Sequence, residues 1–277
     1  MLHAIGKSKT GFYKRYLGKR DDDSEHKVYE EDEITSTLLG PLDFLPMQDV
    51  YCFWHSVLEL SDHSNFLPSS EPVDIQIVFW ERRNASDNGR LIEPDSVVTM
   101  KFSDGQVRLL LIELKWRAPL SGEDQLHRQW CQYLNEDERK QALHLFIAPE
   151  TSAGAAAPNN QNAGGDVWSV GEDAGQSRLV LLPWLKIRAI LDKFARSNTK
   201  FSHWAELTNQ FLQKVGIGNF SGFSHLERTF ALPSSNSASL FWSPYMFAGW
   251  NAIGQPPSLP TSDHAQIILN NLKGTMQ

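Results

Sequence analysis

Three ionisable residues stand in neighbouring segments of this chain: Asp95, in Glu93-Pro94-Asp95, and Glu113 and Lys115, which flank Leu114 in the run LLLIELKW at 109–116. In extended backbone alternate side chains point to opposite faces. Leu109, Leu111, Glu113 and Lys115 therefore share one face, and Leu110, Ile112, Leu114 and Trp116 share the other. A run that is apolar on both faces belongs in the middle of a sheet covered on both sides. Unpaired charges there cost several kcal/mol, so something must compensate Glu113 and Lys115. Two arrangements would do so: a mutual ion pair at the strand end, or a metal site that opens there and draws on oxygen ligands.

The turn between the two segments decides whether Asp95 can join them. It reads Ser103-Asp104-Gly105-Gln106. A two-residue Asp-Gly loop pairs Phe102 with Val107 and, continued without a bulge, sets Asp95 opposite Leu114 with its side chain on the wrong face. A three-residue Ser-Asp-Gly loop, with Gly105 left-handed, pairs Asp95 directly with Glu113. We expect that loop, or a bulge farther along, because two like charges converge only if a cation sits between them.

The surrounding elements read as follows. A short helix covers 34–45, with a break near Gly40-Pro41. A second helix runs from Met47 to Leu60 with Val50, Phe53, Trp54, Val57 and Leu58 on one face. Strands start at Val73, Asp95 and Val107, and a helix with a Ser or Asp cap starts at Ser121. A buried strand follows from Ala142. The Gly/Ala/Asn-rich stretch 151–177 reads as a long mobile loop or linker. Another strand begins at Arg178 and runs into a helix, and a last helix at about 203–215 is closed by Gly216. The remainder is rich in Ser, Pro and aromatics and gives few periodic signals. The fold class is α/β with a mixed sheet flanked by helices. Trp54, Trp80, Trp130 and Trp204 sit in element-like segments and read as core.

Bulk properties exclude several classes. The 277 residues are 41% hydrophobic and 21% charged, which suits one large domain or one domain with an appendage. No stretch approaches the ~18 consecutive apolar residues of a membrane span, and the N-terminus carries no signal-peptide pattern. Two cysteines, Cys52 and Cys131, form no framework and match no zinc spacing, so the expected compartment is the cytoplasm. The nine histidines show no metal-like spacing, and Ser221 lacks the strand–elbow–helix setting of a hydrolase nucleophile. The net charge of −7 argues mildly against a protein that coats itself in nucleic acid. Residues 1–20 nevertheless hold Lys7, Lys9, Lys14, Arg15, Lys19 and Arg20 with no acid, and DDDSEHKVYEEDE follows. Such an arm either grips phosphates or is a solvated, self-paired tail.

Pro94-Asp95, a hairpin, then Glu113-Leu114-Lys115 resembles the catalytic motif of the PD-(D/E)XK nuclease superfamily. The order helix, three-stranded meander, helix, further strands is similar too, over residues 30–195. Gln129-Trp-Cys-Gln-Tyr133 looks like the Gln-x-x-x-Tyr helix motif of the exonuclease branch of that superfamily. The resemblance implies a restriction-endonuclease-like core at 30–200, with 151–177 as a mobile loop. Residues 1–29 are then a charged N-terminal segment, and 201–277 a helical and irregular C-terminal extension packed on the core. It implies Mg²⁺ or Mn²⁺ held by Asp95, Glu113 and the carbonyl of Leu114. Lys115 would sit beside the attacking water, and a carboxylate of the first helix would complete the site; Glu33 is the natural candidate, with Glu30, Glu31 and Asp32 competing. Nucleic acid would meet Gln129, Tyr133, Lys14 and Arg15. For Gln129 the plain alternative is an exposed helix residue, and for Tyr133 a core aromatic with a wet hydroxyl.

The expected function is metal-dependent hydrolysis of DNA phosphodiester bonds, in restriction or defence against foreign DNA, with a protein partner or a homo-oligomer left open and no membrane association. The alternative is a non-catalytic scaffold or binding subunit that keeps the nuclease fold. The acidic net charge and the aromatic, Pro-rich 241–250 stretch favour that alternative.

Overall fold

A computed structural model of the chain describes residues 2–10, 30–84, 91–116, 119–169, 176–197 and 200–217. All of them fall in the first of two units into which the chain divides, Met1–Asn219. The expectation of an irregular extension beyond residue 217 lies outside the described residues.

Five strands form one mixed sheet, β1 (Pro72–Phe79), β4 (Ser96–Phe102), β5 (Val107–Leu114), β6 (Ala142–Ala148) and β7 (Leu179–Pro183), in that spatial order. The first three are antiparallel, and β5, β6 and β7 run parallel. A separate two-residue pair, β2 (Arg83–Asn84) and β3 (Leu91–Ile92), was not visible in the sequence pattern. The parallel half needs a crossover from β5 to β6. α4 (Gln125–Arg128), a π-helical turn (Gln129–Tyr133) and α5 (Glu136–Lys140) supply it.

The two faces of LLLIELKW part as the alternation predicts. Leu110, Ile112, Leu114 and Trp116 enter a large core under α2 (Glu30–Leu38), α3 (Met47–Leu60), α7 (Trp184–Ala195) and α8 (Lys200–Lys214). Leu109 and Leu111 enter a second core with Leu126, Trp130, Tyr133 and Phe146. The apolar face of α3 is buried at Val50, Phe53, Trp54, Val57 and Leu58, the i, i+3, i+4, i+7, i+8 stripe expected of a helix against a sheet. The first helix breaks at Gly40, where a 3₁₀ turn (Gly40–Phe44) carries Pro41. α8 packs on α7 through Phe201, whose ring stacks on Trp204 and meets Phe194 edge-on.

Two expectations need correction, and a third is filled in. The helix expected from Ser121 begins at Gln125, because Gly122 takes φ +133° and holds 121–124 in a turn. Within 151–177, the described residues 151–169 form short helices, Ser152–Ala156, Ala157–Asn159 and Gln161–Ala163, where the composition suggested a mobile linker. α6 (Ser152–Ala156) lies so close on the sheet that a Cβ at Gly154 would come within 2.5 Å of Phe146 and 2.6 Å of Leu181, and Trp168 is fully buried. The small residues there allow close approach, where composition alone suggested flexibility. Thirdly, the start of the N-terminal segment is structured: α1 (Leu2–Gly6) buries Ala4, whose N–H donates to Ser36 Oγ at 3.1 Å.

The hairpin takes the three-residue loop. Phe102 N–H donates to Gln106 O at 3.0 Å and Gly105 is left-handed at φ +84°. Ser96 then faces Ile112, and one step further the same register brings Asp95 to Glu113. Gly105→Ala is expected to cost about 1 kcal/mol, since an L side chain resists that conformation. A thermal melt should show a drop of a few degrees, and an unchanged melt would mean the loop does not need the left-handed residue.

Candidate functional site

β5 positions the site because its apolar residues commit both faces to core and leave Glu113 no route to water. Glu113 is only 2% exposed. A carboxylate that dry must have its lone pairs filled. Lys115 Nζ lies 2.9 Å from Oε1, Gln125 Nε2 donates to Oε1 at 2.5 Å, and Gln129 Nε2 donates to Oε2 at 2.6 Å. Gln125 and Gln129 are four apart on one helical path, so both amides reach down to one strand residue. The wide π turn that begins at Gln129 is a geometry found disproportionately at functional positions.

Asp95 is half-buried at the entry to β4 and accepts from Leu114 N–H at 2.6 Å through Oδ2. Burial and the neighbouring Glu113 carboxylate hold its carboxyl well above the ordinary range, against the opposing pull of the Leu114 amide and Lys115. Lys115 is buried. Burial alone would lower its ammonium, but Glu113, Asp95 and Glu31 outweigh that and raise it. The side chain is therefore a fixed cation in this state and no proton acceptor. Its backbone is fixed as well: its N–H donates to Ile147 O at 2.7 Å and its carbonyl accepts from Trp184 Nε1 at 2.9 Å.

The helix carboxylate at the site is Glu31, which corrects the choice of Glu33. Glu31 Oε2 is 3.4 Å from Lys115 Nζ, and Oε1 accepts from Trp116 N–H at 2.9 Å. Position 31 continues the buried stripe of α2 through Thr35, Leu38 and Leu39, whereas Glu33 points round the helix and accepts from Thr10 Oγ1. Lys9 and Arg82 both pair with Glu93, two residues before Asp95. Asp32 is raised by burial, opposed by Lys9. Lys14 and Arg15 lie outside the described residues.

Gln129 and Tyr133 also take other places than a nucleic-acid contact. Gln129 is buried between Glu113 and His144, whose Nε2 is 3.2 Å from its Oε1. Tyr133 is buried, donates to Glu81 Oε2 at 2.5 Å and lies 4.3 Å beneath the Arg83 guanidinium. Burial and that carboxylate raise its hydroxyl pKa. The period-3.6 face that packs Leu126 and Trp130 into the core carries both side chains inward, and nothing in the motif itself distinguishes an inward glutamine from an outward one. Sequence reasoning missed Gln125, His144 and Trp168. His144 had a signal: a histidine inside the otherwise apolar strand ALHLFIA needs a partner for the same reason Glu113 does.

Trp80, beside Asp95, is a further signature. It holds φ +49°, an uncommon state for a bulky residue, and its N–H donates to Asp95 O at 3.1 Å. Backbone strain of this kind costs about 1–3 kcal/mol and concentrates where a neighbour must be held in place.

Among the described residues no three His, Cys, Asp or Glu side chains converge into a ready-made metal cage. The donor set still suits a hard cation that keeps most of its waters and needs only one or two carboxylates. Two acids face each other at the strand end, and Asp95 is raised by burial and then by its neighbour, the second of which a divalent ion would relieve. No family model, no curated protein and no solved structure matches the chain.

A raised carboxyl makes the folded state bind a proton more tightly than the unfolded chain. Stability without metal is therefore lost as pH rises from the unfolded value through the folded one. Asp95→Asn keeps an acceptor for Leu114 N–H and removes the charge. It should melt several degrees higher than wild type in chelator at neutral to alkaline pH, with the gap closing toward pH 4. Equal melts across that range would mean Asp95 is unstrained.

Proposed function

We propose that this chain is a Mg²⁺- or Mn²⁺-dependent nuclease that hydrolyses DNA phosphodiester bonds, on a restriction-endonuclease-like core. One observation carries the reading: Asp95 meets Glu113 across the hairpin with the Lys115 ammonium 2.9 Å from Glu113. Asp95, Glu113 and the Leu114 carbonyl would hold the cation. A bound divalent ion supplies polarisation of the phosphate and a more acidic water.

This chain's own residues supply the rest. Lys115, charged and clamped, stabilises the negative charge that builds on the phosphoryl oxygens as water adds to phosphorus and the bond to the leaving oxygen breaks. Glu31 holds the ammonium from the other side, so it stays aimed at the strand end. The choice of DNA and a role in restriction or defence follow from the motif resemblance, and the cytoplasmic setting from the two unpaired cysteines.

A second reading has its own observation in support. Every lone pair of Glu113 that faces a donor is already engaged, by Lys115, Gln125 and Gln129. A scaffold that kept the fold and lost the ion would look like this. Mn²⁺ titration by calorimetry separates the two, because the scaffold binds no ion at Asp95 and Glu113.

With Mg²⁺ and linear or plasmid DNA the full chain is expected to cleave. Glu113→Ala and Lys115→Ala should each lose about 10²-fold or more, a size typical of losing a transition-state charge partner. Glu31→Ala should lose about tenfold, as expected for a group that orients the one acting. Glu33→Ala should cleave like wild type. Cleavage that survives both Glu113→Ala and Lys115→Ala would overturn the assignment.

A further inference from the structure

Behind Glu113 runs a single file of buried polar groups, and each one dictates the next. The indole Nε1 of Trp168 has a proton and no lone pair to offer, so it can only donate. It lies 3.3 Å from His144 Nδ1, which must therefore be the bare nitrogen. The proton of a neutral imidazole then sits on Nε2, 3.2 Å from Gln129 Oε1. With its oxygen committed, the Gln129 amide has only its NH₂ to turn toward Glu113 Oε2, at 2.6 Å.

We propose that His144 and Trp168 are positioning residues of the Glu113 site: they fix which way round the Gln129 amide sits, and so deliver an N–H to the carboxylate where a flipped amide would present a carbonyl. The catalytic weight of this rests on the metal-site reading above; the orientation itself does not.

The reverse arrangement is excluded by its own contacts. A flipped Gln129 would set its carbonyl against the Glu113 carboxylate and its NH₂ against the His144 N–H, two repulsions in a dry site. His144 is 0% exposed, so bulk water does not reach it to replace either partner. Its ring lies nearly parallel to Trp130, at 6.0 Å and 7°. The imidazole is held neutral: burial, with His127 adding to it, brings its pKa down to about 3.

Trp168 is itself placed by a purpose-built turn. Its N–H donates to Asp166 Oδ1 at 3.1 Å. Its ring meets His127 edge-on at 4.7 Å, and His127 Nε2 is 2.8 Å from Gly165 O. The segment 151–169, which composition alone marks as linker, therefore serves to bring one indole N–H to the back of the site. An apolar residue at 144 would fill the strand at least as well. A histidine with two aimed hydrogen bonds is explained by the orientation it imposes.

The test uses the full chain. Imidazole ¹⁵N shifts should show His144 as the Nε2–H tautomer alone, and Trp168→Phe should populate both tautomers. Mn²⁺ titration should show His144→Leu and Trp168→Phe binding about tenfold or more weakly than wild type, the usual cost of losing a ligand's supporting partner. His144→Gln, whose amide can donate from near the Nε2 position, should recover most of the affinity. Melts on all variants separate misfolding from mispositioning, and His144→Gln with Trp168→Phe carries the test should His144→Leu not fold. An Nδ1–H or charged His144 in wild type would overturn the proposal, as would folded His144→Leu or Trp168→Phe binding Mn²⁺ like wild type. If wild type binds no Mn²⁺, the metal-site reading fails alone. The tautomer shifts then decide the orientation, together with the Gln129 amide proton that faces Glu113, expected well downfield in wild type and near its free value in Trp168→Phe.

Discussion

The constraint on which this molecule is built is the burial of one carboxylate. Glu113 lies in the central strand of the sheet with core on both sides, and a lone ionised acid there would cost several kcal/mol. Its donors come from different elements: an ammonium two residues on, just past the end of β5, one amide from the short helix α4, and another from the π turn that follows. The β5-to-β6 crossover is thus arranged around that residue as well as around the parallel pairing. Lys115 pairs with both Glu31 and Glu113, while burial, joined by the Glu113 carboxylate, raises the Asp95 carboxyl.

The π turn is held at its two ends by different chemistry. At Gln129 it is tied to Glu113 and His144. At Tyr133 it is tied to the segment that follows β1, through the hydroxyl to Glu81 and through Arg83, which covers the ring and pairs with Glu138 at 2.8 Å. Glu81 follows Trp80, whose N–H donates to the backbone of Asp95. The wide turn and the strained tryptophan therefore frame the same end of strands β4 and β5.

Much of this was legible in the sequence because the rules that apply are local and steric. Alternation in LLLIELKW assigned each side chain to its core, and Gly105 in a three-residue loop set the register that pairs Asp95 with Glu113. The five-residue stripe of α3 was read off its spacing. What failed depends on phase and on neighbours far along the chain. Glu31 and Glu33 differ only in where a helix begins to face the sheet, which a run of four acids does not reveal. Gln129 reads the same whether it points to solvent or to a buried acid. The 151–169 stretch was misread because small residues signal close packing and flexibility alike, and only the strands beneath it tell them apart.

Lys115 is pinned at main chain and side chain together, with Ile147 and Trp184 gripping its peptide groups and two acids gripping its ammonium. A free lysine surrenders about 2 kcal/mol of rotamer entropy when it is ordered. Here that loss is already incurred when the chain folds. An anion arriving at the strand end would meet a charge that needs no reorganisation to receive it, so its residence there would depend on the geometry of the newcomer and not on any rearrangement of its host.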